Sequence, residues 1–208
     1  MRELETGLWY WEASHPEWTA ANSEGWGPDV SSYAIDDGER LLLIDPLAPP
    51  REIDELAAER ETAIVLTSPW HERDAQSLVE RLAAPVFLPR PDEFNDDVAW
   101  LRDDLERLEK EGRVYSAGDR LPIGVEAFAG RLRNDLVLWV EGRRALVVGD
   151  TLVDLGRGLE LPADWLPKSV TREQAVEALR PLLELPVELV LPTHGAPTDR
   201  AALERALS

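Results

Sequence analysis

The sequence predicts an α/β protein of layered sheets and helices, and three observations carry that reading. Short apolar runs alternate with segments of amphipathic helical spacing. Polar residues able to do chemistry stand just past four of those runs, where α/β folds usually place their sites. The chain has 208 residues, 44% of them hydrophobic. That is enough for one large domain burying roughly 70% of its unfolded surface, and one domain is expected.

The elements follow in order. Residues 7–11 alternate Leu8 and Tyr10 with Trp9 and Trp11, a strand pattern. A loop rich in Pro, Gly and Ser runs to Pro28. Residues 30–35 and 40–44 read as a hairpin turning at Asp36-Asp37-Gly38. Pro49-Pro50 stops the second strand, and Pro50 suits the start of a helix to about 60. Residues 62–66 read as a buried strand, 73–83 as a helix with Leu78, Val79 and Leu82 inward, and 85–88 as a strand. Residues 96–111 form a helical pattern with Val98, Leu101, Leu105 and Leu108 on one stripe and charges opposite. Strands are expected at 123–128, 135–141 and 144–148. A helix at 172–183, which Pro181 ends or kinks, a strand at 187–191 and a closing helix at 199–207 with Asp199 near its N-cap complete the chain.

Composition excludes whole classes of chemistry. The chain has no cysteine, so disulfides, iron–sulfur clusters, thiolate zinc sites and cysteine nucleophiles are ruled out. Any metal must take nitrogen and oxygen ligands, and His15, His71 and His194 are the only histidines. The net charge of −19 repels phosphate backbones and anionic lipid, so neither nucleic acid nor membrane is an expected partner. The N-terminal MRELETGLWYW lacks the apolar core of a signal peptide, and no apolar run approaches the ~20 residues of a membrane span. A cytoplasmic protein is the expectation. Dinucleotide, P-loop and serine-hydrolase motifs are missing.

Asp45 follows the run 41–44. Ser68, His71, Glu72 and Asp74 follow 63–66, Asp150 follows 146–149, and His194 follows 189–193. Four strand ends converging on two imidazoles and several carboxylates would make a metal site or a general acid–base pair. Trp9, Trp11, Trp18 and Trp26 crowd the first 26 residues and serve as core, as an aromatic wall beside the site, or as a dimer surface.

These segments, in this order, resemble the metallo-β-lactamase-fold superfamily. Leu42-Leu43-Ile44-Asp45-Pro46 is similar to that family's early strand ending in aspartate. Gly149-Asp150-Thr151 is similar to its G-D-T, and Pro192-Thr193-His194-Gly195 to its late P-x-H-G. The resemblance implies a four-layer αββα sandwich. The family's central T-H-x-H-x-D-H motif reads here Thr67-Ser68-Pro69-Trp70-His71-Glu72-Arg73-Asp74. Without a gap, Ser68 and Trp70 replace the early histidines; with one insertion His71 falls on the second. The family's middle G-H aligns with Gly130-Arg131. The resemblance thus implies a degenerate metal centre holding zero or one divalent ion (zinc, manganese or iron), with Asp150, His194, His71, Glu72 and Asp74 as the available donors. Asp45, Ser68, Trp70, Arg73 and Arg131 are expected to line the cleft, the arginines placing guanidinium charge where metal would sit.

Two functions stay open on this reading. One is metal-assisted hydrolysis of an ester-like or amide-like bond. The other is a non-catalytic member that holds a small anionic ligand or a protein partner in the vestigial cleft. No catalytic residue or substrate is assigned, and oligomeric state is open.

Overall fold

A computed structural model describes residues 1–21, 25–90 and 112–208; the helix expected at 96–111 lies outside the described residues. Seven strands form one sheet in chain order: β1 (Arg2–Glu5), β2 (Leu8–Ser14), β3 (Asp29–Asp36), β4 (Arg40–Ile44), β5 (Glu61–Val65), β6 (Val86–Pro89) and β7 (Arg113–Tyr115). The ladders are antiparallel from β1 to β4 and parallel from β4 to β7. Helices α1 (Arg51–Ala57) and α2 (Ala75–Leu82) make the parallel crossovers on either side of β5.

The second sheet uses β8 (Val125–Leu132), β9 (Asp135–Val140) and β10 (Ala145–Gly149). After a small ribbon, β11 (Val153–Asp154) with β12 (Leu159–Glu160), come α3 (Arg172–Leu179), β13 (Leu189–Pro192), β14 (Thr198–Asp199) and α4 (Arg200–Ala206). The order is β14-β13-β10-β9-β8, with only β10 and β13 parallel.

The period-two side-chain alternation of the strands builds the layers. In β4, Leu42 and Ile44 join the apolar core between the sheets, while Leu41 and Leu43 pack with Ile53 of α1 and Leu78 of α2. In β9, Leu136, Leu138 and Val140 face the same intersheet core. Val137 and Trp139 face outward onto Ala175, Val176 and Leu179 of α3 and Leu203 of α4. Three apolar seams between four layers give the αββα sandwich.

Element ends differ from the sequence pattern for local reasons. The second helix starts at Ala75, not 73, because 69–71 form a 3-10 turn and Arg73 takes φ 45°. Helix α3 stops at Leu179, and Pro181 continues the chain as a 3-10 turn, Arg180–Glu184. Strands β1, β7 and β14 carry little apolar signal because they are short or lie on sheet edges.

The parallel pairs β4/β5 and β10/β13 end at one edge of the sandwich, and hydrogen bonds stitch the sheets together there. Tyr33 Oη donates to the Pro192 carbonyl (2.7 Å), Ser31 N–H to that of Thr193 (2.8 Å) and Leu136 N–H to that of Thr67 (2.8 Å). The first residues past those four strands are therefore delivered to one place. Among the described residues, no helix is long and apolar enough to cross a membrane.

Candidate functional site

Four strand ends supply the site. Asp45 leaves β4 with φ 46°, a left-handed backbone that aspartate tolerates better than most residues, and the residue is buried. Its carboxylate accepts the Thr67 N–H (2.8 Å) and hydroxyl (2.5 Å) from the chain just past β5. Asp150 leaves β10 after Gly149. That glycine sits at φ 52°, and a Cβ there would come within 2.9 Å of Thr67 Oγ1. Only glycine brings the two strand ends this close without displacement.

His71 lies between the two aspartates. Its Nδ1 is 3.0 Å from Asp45 Oδ2, and its Nε2 is 3.3 Å from Asp150 Oδ2. Burial opposes the imidazolium, but Asp150 and Asp45 on its two sides outweigh burial and push its pKa up to about 9. Both aspartates are held below the usual carboxylate range despite burial. His71 is the foremost cause for each, Arg73 helps at Asp45, and His194 and Arg131 help at Asp150. A protonated ring thus bridges two buried carboxylates.

Arg131 enters from β8. Gly130 beside it packs so closely on the turn after β10 that a Cβ would lie 2.2 Å from Thr151 Oγ1, and that hydroxyl accepts the Arg131 N–H (3.1 Å). The guanidinium Nε donates to the Asp150 carbonyl (2.9 Å) and lies 2.8 Å from Asp135 Oδ2; Nη1 donates to the Trp165 carbonyl (2.7 Å). Nη2 is 3.9 Å from Asp150 Oδ2. Trp70 and Trp165 cover it with ring centroids 5.9 and 5.6 Å away. Arg73, also at positive φ (45°), donates to the Asp45 carbonyl (2.6 Å) and the Ser31 carbonyl (3.1 Å). Three carboxylates (Asp45, Asp135, Asp150) thus face three cationic side chains (His71, Arg73, Arg131).

His194 completes the cluster. Its Nε2 approaches Asp150 Oδ1 at 3.5 Å without making a hydrogen bond, and its Nδ1 is buried without a partner. Burial lowers its pKa to about 4 against the pull of Asp150, so the ring is neutral at pH 7. Trp26 and Trp165 flank it, with centroids at 4.9 and 5.8 Å, and His15 stands edge-on to Trp26 at 5.6 Å.

The structure brings Asp150, His71 and His194 together with Asp45, Trp70, Arg73 and Arg131. Ser68 lies beneath them, fully buried, with its hydroxyl unbonded. Glu72 and Asp74 are directed elsewhere: Glu72 Oε1 accepts the Gln76 N–H, and Asp74 Oδ2 accepts that of Ala48. Sequence reading missed Asp135 and Trp165. The i,i+4 spacing of Arg131 and Asp135 across the β8–β9 turn was the available signal for the former; Trp165, in an irregular stretch, offered none.

A divalent ion does not fit this donor set. A ligating imidazole needs a free lone pair, and in the protonated form that Asp45 and Asp150 favour, both His71 nitrogens donate toward carboxylates. Asp150 Oδ2 already accepts the Trp70 indole N–H at 2.8 Å. Asp150 Oδ1 and the His194 ring remain, fewer than the three or four ligands a protein site normally supplies. Among the described residues, no group of three His, Asp or Glu is arranged to hold a metal.

No family model matches the sequence, and a search of curated proteins gives no match. Solved structures do match. TMB-1 aligns over 99% of this chain and 94% of its own, with TM-score 0.70 and 17% identity. An archaeal metallo-β-lactamase superfamily protein, ST1585 from Sulfolobus tokodaii, aligns over 97% and 84% with TM-score 0.68 and 16% identity. TTHA1623, solved in a di-iron-bound form, aligns over 86% and 95% with TM-score 0.61 and 26% identity. The chain is a metallo-β-lactamase-fold protein.

Proposed function

We propose that this is a hydrolase-like protein of the fold that has exchanged metal chemistry for binding, and that it holds a small anionic ligand at the strand-end edge. One observation carries the reading: His71 bridges Asp45 and Asp150 with both ring nitrogens. It is left with no lone pair to bind metal or to act as a general base. Asp150, the residue a metal would need most, is already neutralised. The anionic preference rests on His71, Arg73 and Arg131 gathered at one edge of a chain whose net charge is −19. At the rim, His15 has its pKa lowered by burial and by Arg73 and His71, as a local positive field requires. Half-buried Trp26 and Trp165 add aromatic surface there. The overall negative charge keeps nucleic acid and anionic membranes outside the proposal.

Hydrolysis of a chromogenic ester and a chromogenic β-lactam, each with and without added zinc or manganese, tests the loss of metal chemistry. The expected result is no turnover above the metal-only background. Zinc-dependent turnover that disappears in Asp150→Ala would overturn it and establish a one-metal hydrolase. Titration with benzoate, followed by tryptophan fluorescence, tests the binding half; no response at any concentration would refute the anionic assignment.

A further inference from the structure

We propose that the Arg131 guanidinium is the resident cation of an oxygen-only cage, occupying as part of the chain the role that a bound ion would play. The inference rests on the metal-free reading above and extends it to a site with its own ligand class. Four oxygens surround the group: the Asp150 carbonyl and the Trp165 carbonyl, each receiving a hydrogen bond, and carboxylate oxygens of Asp135 at 2.8 Å and Asp150 at 3.9 Å. They come from the end of β10, the first residue of β9 and the 3-10 turn Ala163–Trp165.

An independent feature points to a cation here. The Asp135 side chain is fully buried, with its Oδ2 2.8 Å from Arg131 Nε and the Thr151 hydroxyl as a further partner. The Arg131 Nε–H is directed at the Asp150 carbonyl, so the guanidinium serves Asp135 chiefly as a counter-charge. A carboxylate in that position serves a cation as a counter-charge. Among the described residues, the hydrogen-bond and ion-pair partners of the guanidinium are oxygens, a set that suits hard cations and guanidinium rather than zinc. The two indoles flanking Arg131 favour a flat cation.

The cage therefore has a ligand class of its own: guanidinium-type cations first, hard divalent cations second. It is filled in the native chain and opens when the Arg131 side chain is removed. Arg131→Ala is expected to lower the melting temperature by roughly 10 °C, because the Asp150 and Trp165 carbonyls lose their donor and Asp135 loses the cation that favours its charged form. Millimolar guanidinium chloride should then raise the variant's melting temperature, while leaving the wild type unchanged or slightly lowered. Calcium should act in the same direction but more weakly. Arg131→Gln carries the same expectation if Arg131→Ala is not recovered folded. Asp135→Asn combined with Arg131→Ala should abolish the response. An Arg131 variant that responds to guanidinium no differently from wild type would overturn the cage. Failure of the underlying metal-free reading would show separately, as metal retained by the purified wild-type protein.

Discussion

At the residue scale, the site is a set of opposed charges whose balance sets a pH profile. His71 has its folded pKa raised to about 9 from 6.5. The stability it contributes is fully present below pH 6.5 and is lost as pH rises through 9. Fully realised, that shift corresponds to about 3 kcal/mol. His194, lowered to about 4, works the other way: the unfolded chain takes up its proton first, so stability falls as pH drops from 6.5 to 4. Asp135 is pushed up to about 7 by burial, against Arg131, so its contribution falls as pH rises from 3.8 to 7. The last two slopes oppose each other. Stability should be nearly flat between pH 4 and 6.5 and then decline towards pH 9. Urea denaturation across that range checks this. His71→Gln should be less stable at neutral pH and should lose most of the decline above 6.5; a variant retaining it would remove His71 from the account.

One helix cap and one strand-end glycine carry predictions at the element scale. Thr171 and Gln174 form a reciprocal capping box at the start of α3, and Thr171→Ala should cost about 1 kcal/mol in chemical denaturation. Gly149→Ala places a methyl against Thr67 Oγ1 at a positive φ, so a larger loss, roughly 2 kcal/mol or more, is expected there. Equal losses for the two would contradict the close approach of β5 and β10. Most of the elements were legible in the sequence because apolar alternation is strong in β4, β9 and β10, and turn residues punctuate them. The early α2 start was misread because its amphipathic pattern continues back through residues that the His71 turn takes for itself. The site was legible as a list of strand-end residues. Its pairing was only partly so: the i,i+4 spacing of Arg131 and Asp135 is readable, but their contact depends on hairpin geometry, and Trp165 lies in an irregular segment that no local pattern encodes.

At the scale of the whole molecule, two sheets are locked at one edge by paired, opposed charges within the chain. Solved structures of this fold include a di-iron-bound form; here one edge of the sandwich gathers an imidazole and two guanidiniums against three aspartates. Removing one partner of such a buried set leaves an uncompensated charge, at a cost of about 3–5 kcal/mol. On the function proposed above, the paired charges hold this edge together with no added ion. Elemental analysis of protein purified without chelator from metal-supplemented culture tests this most directly. The account predicts no stoichiometric zinc, iron or manganese and no thermal stabilisation when zinc is added back. Two equivalents of metal per chain, or one equivalent that Asp150→Ala releases, would contradict it.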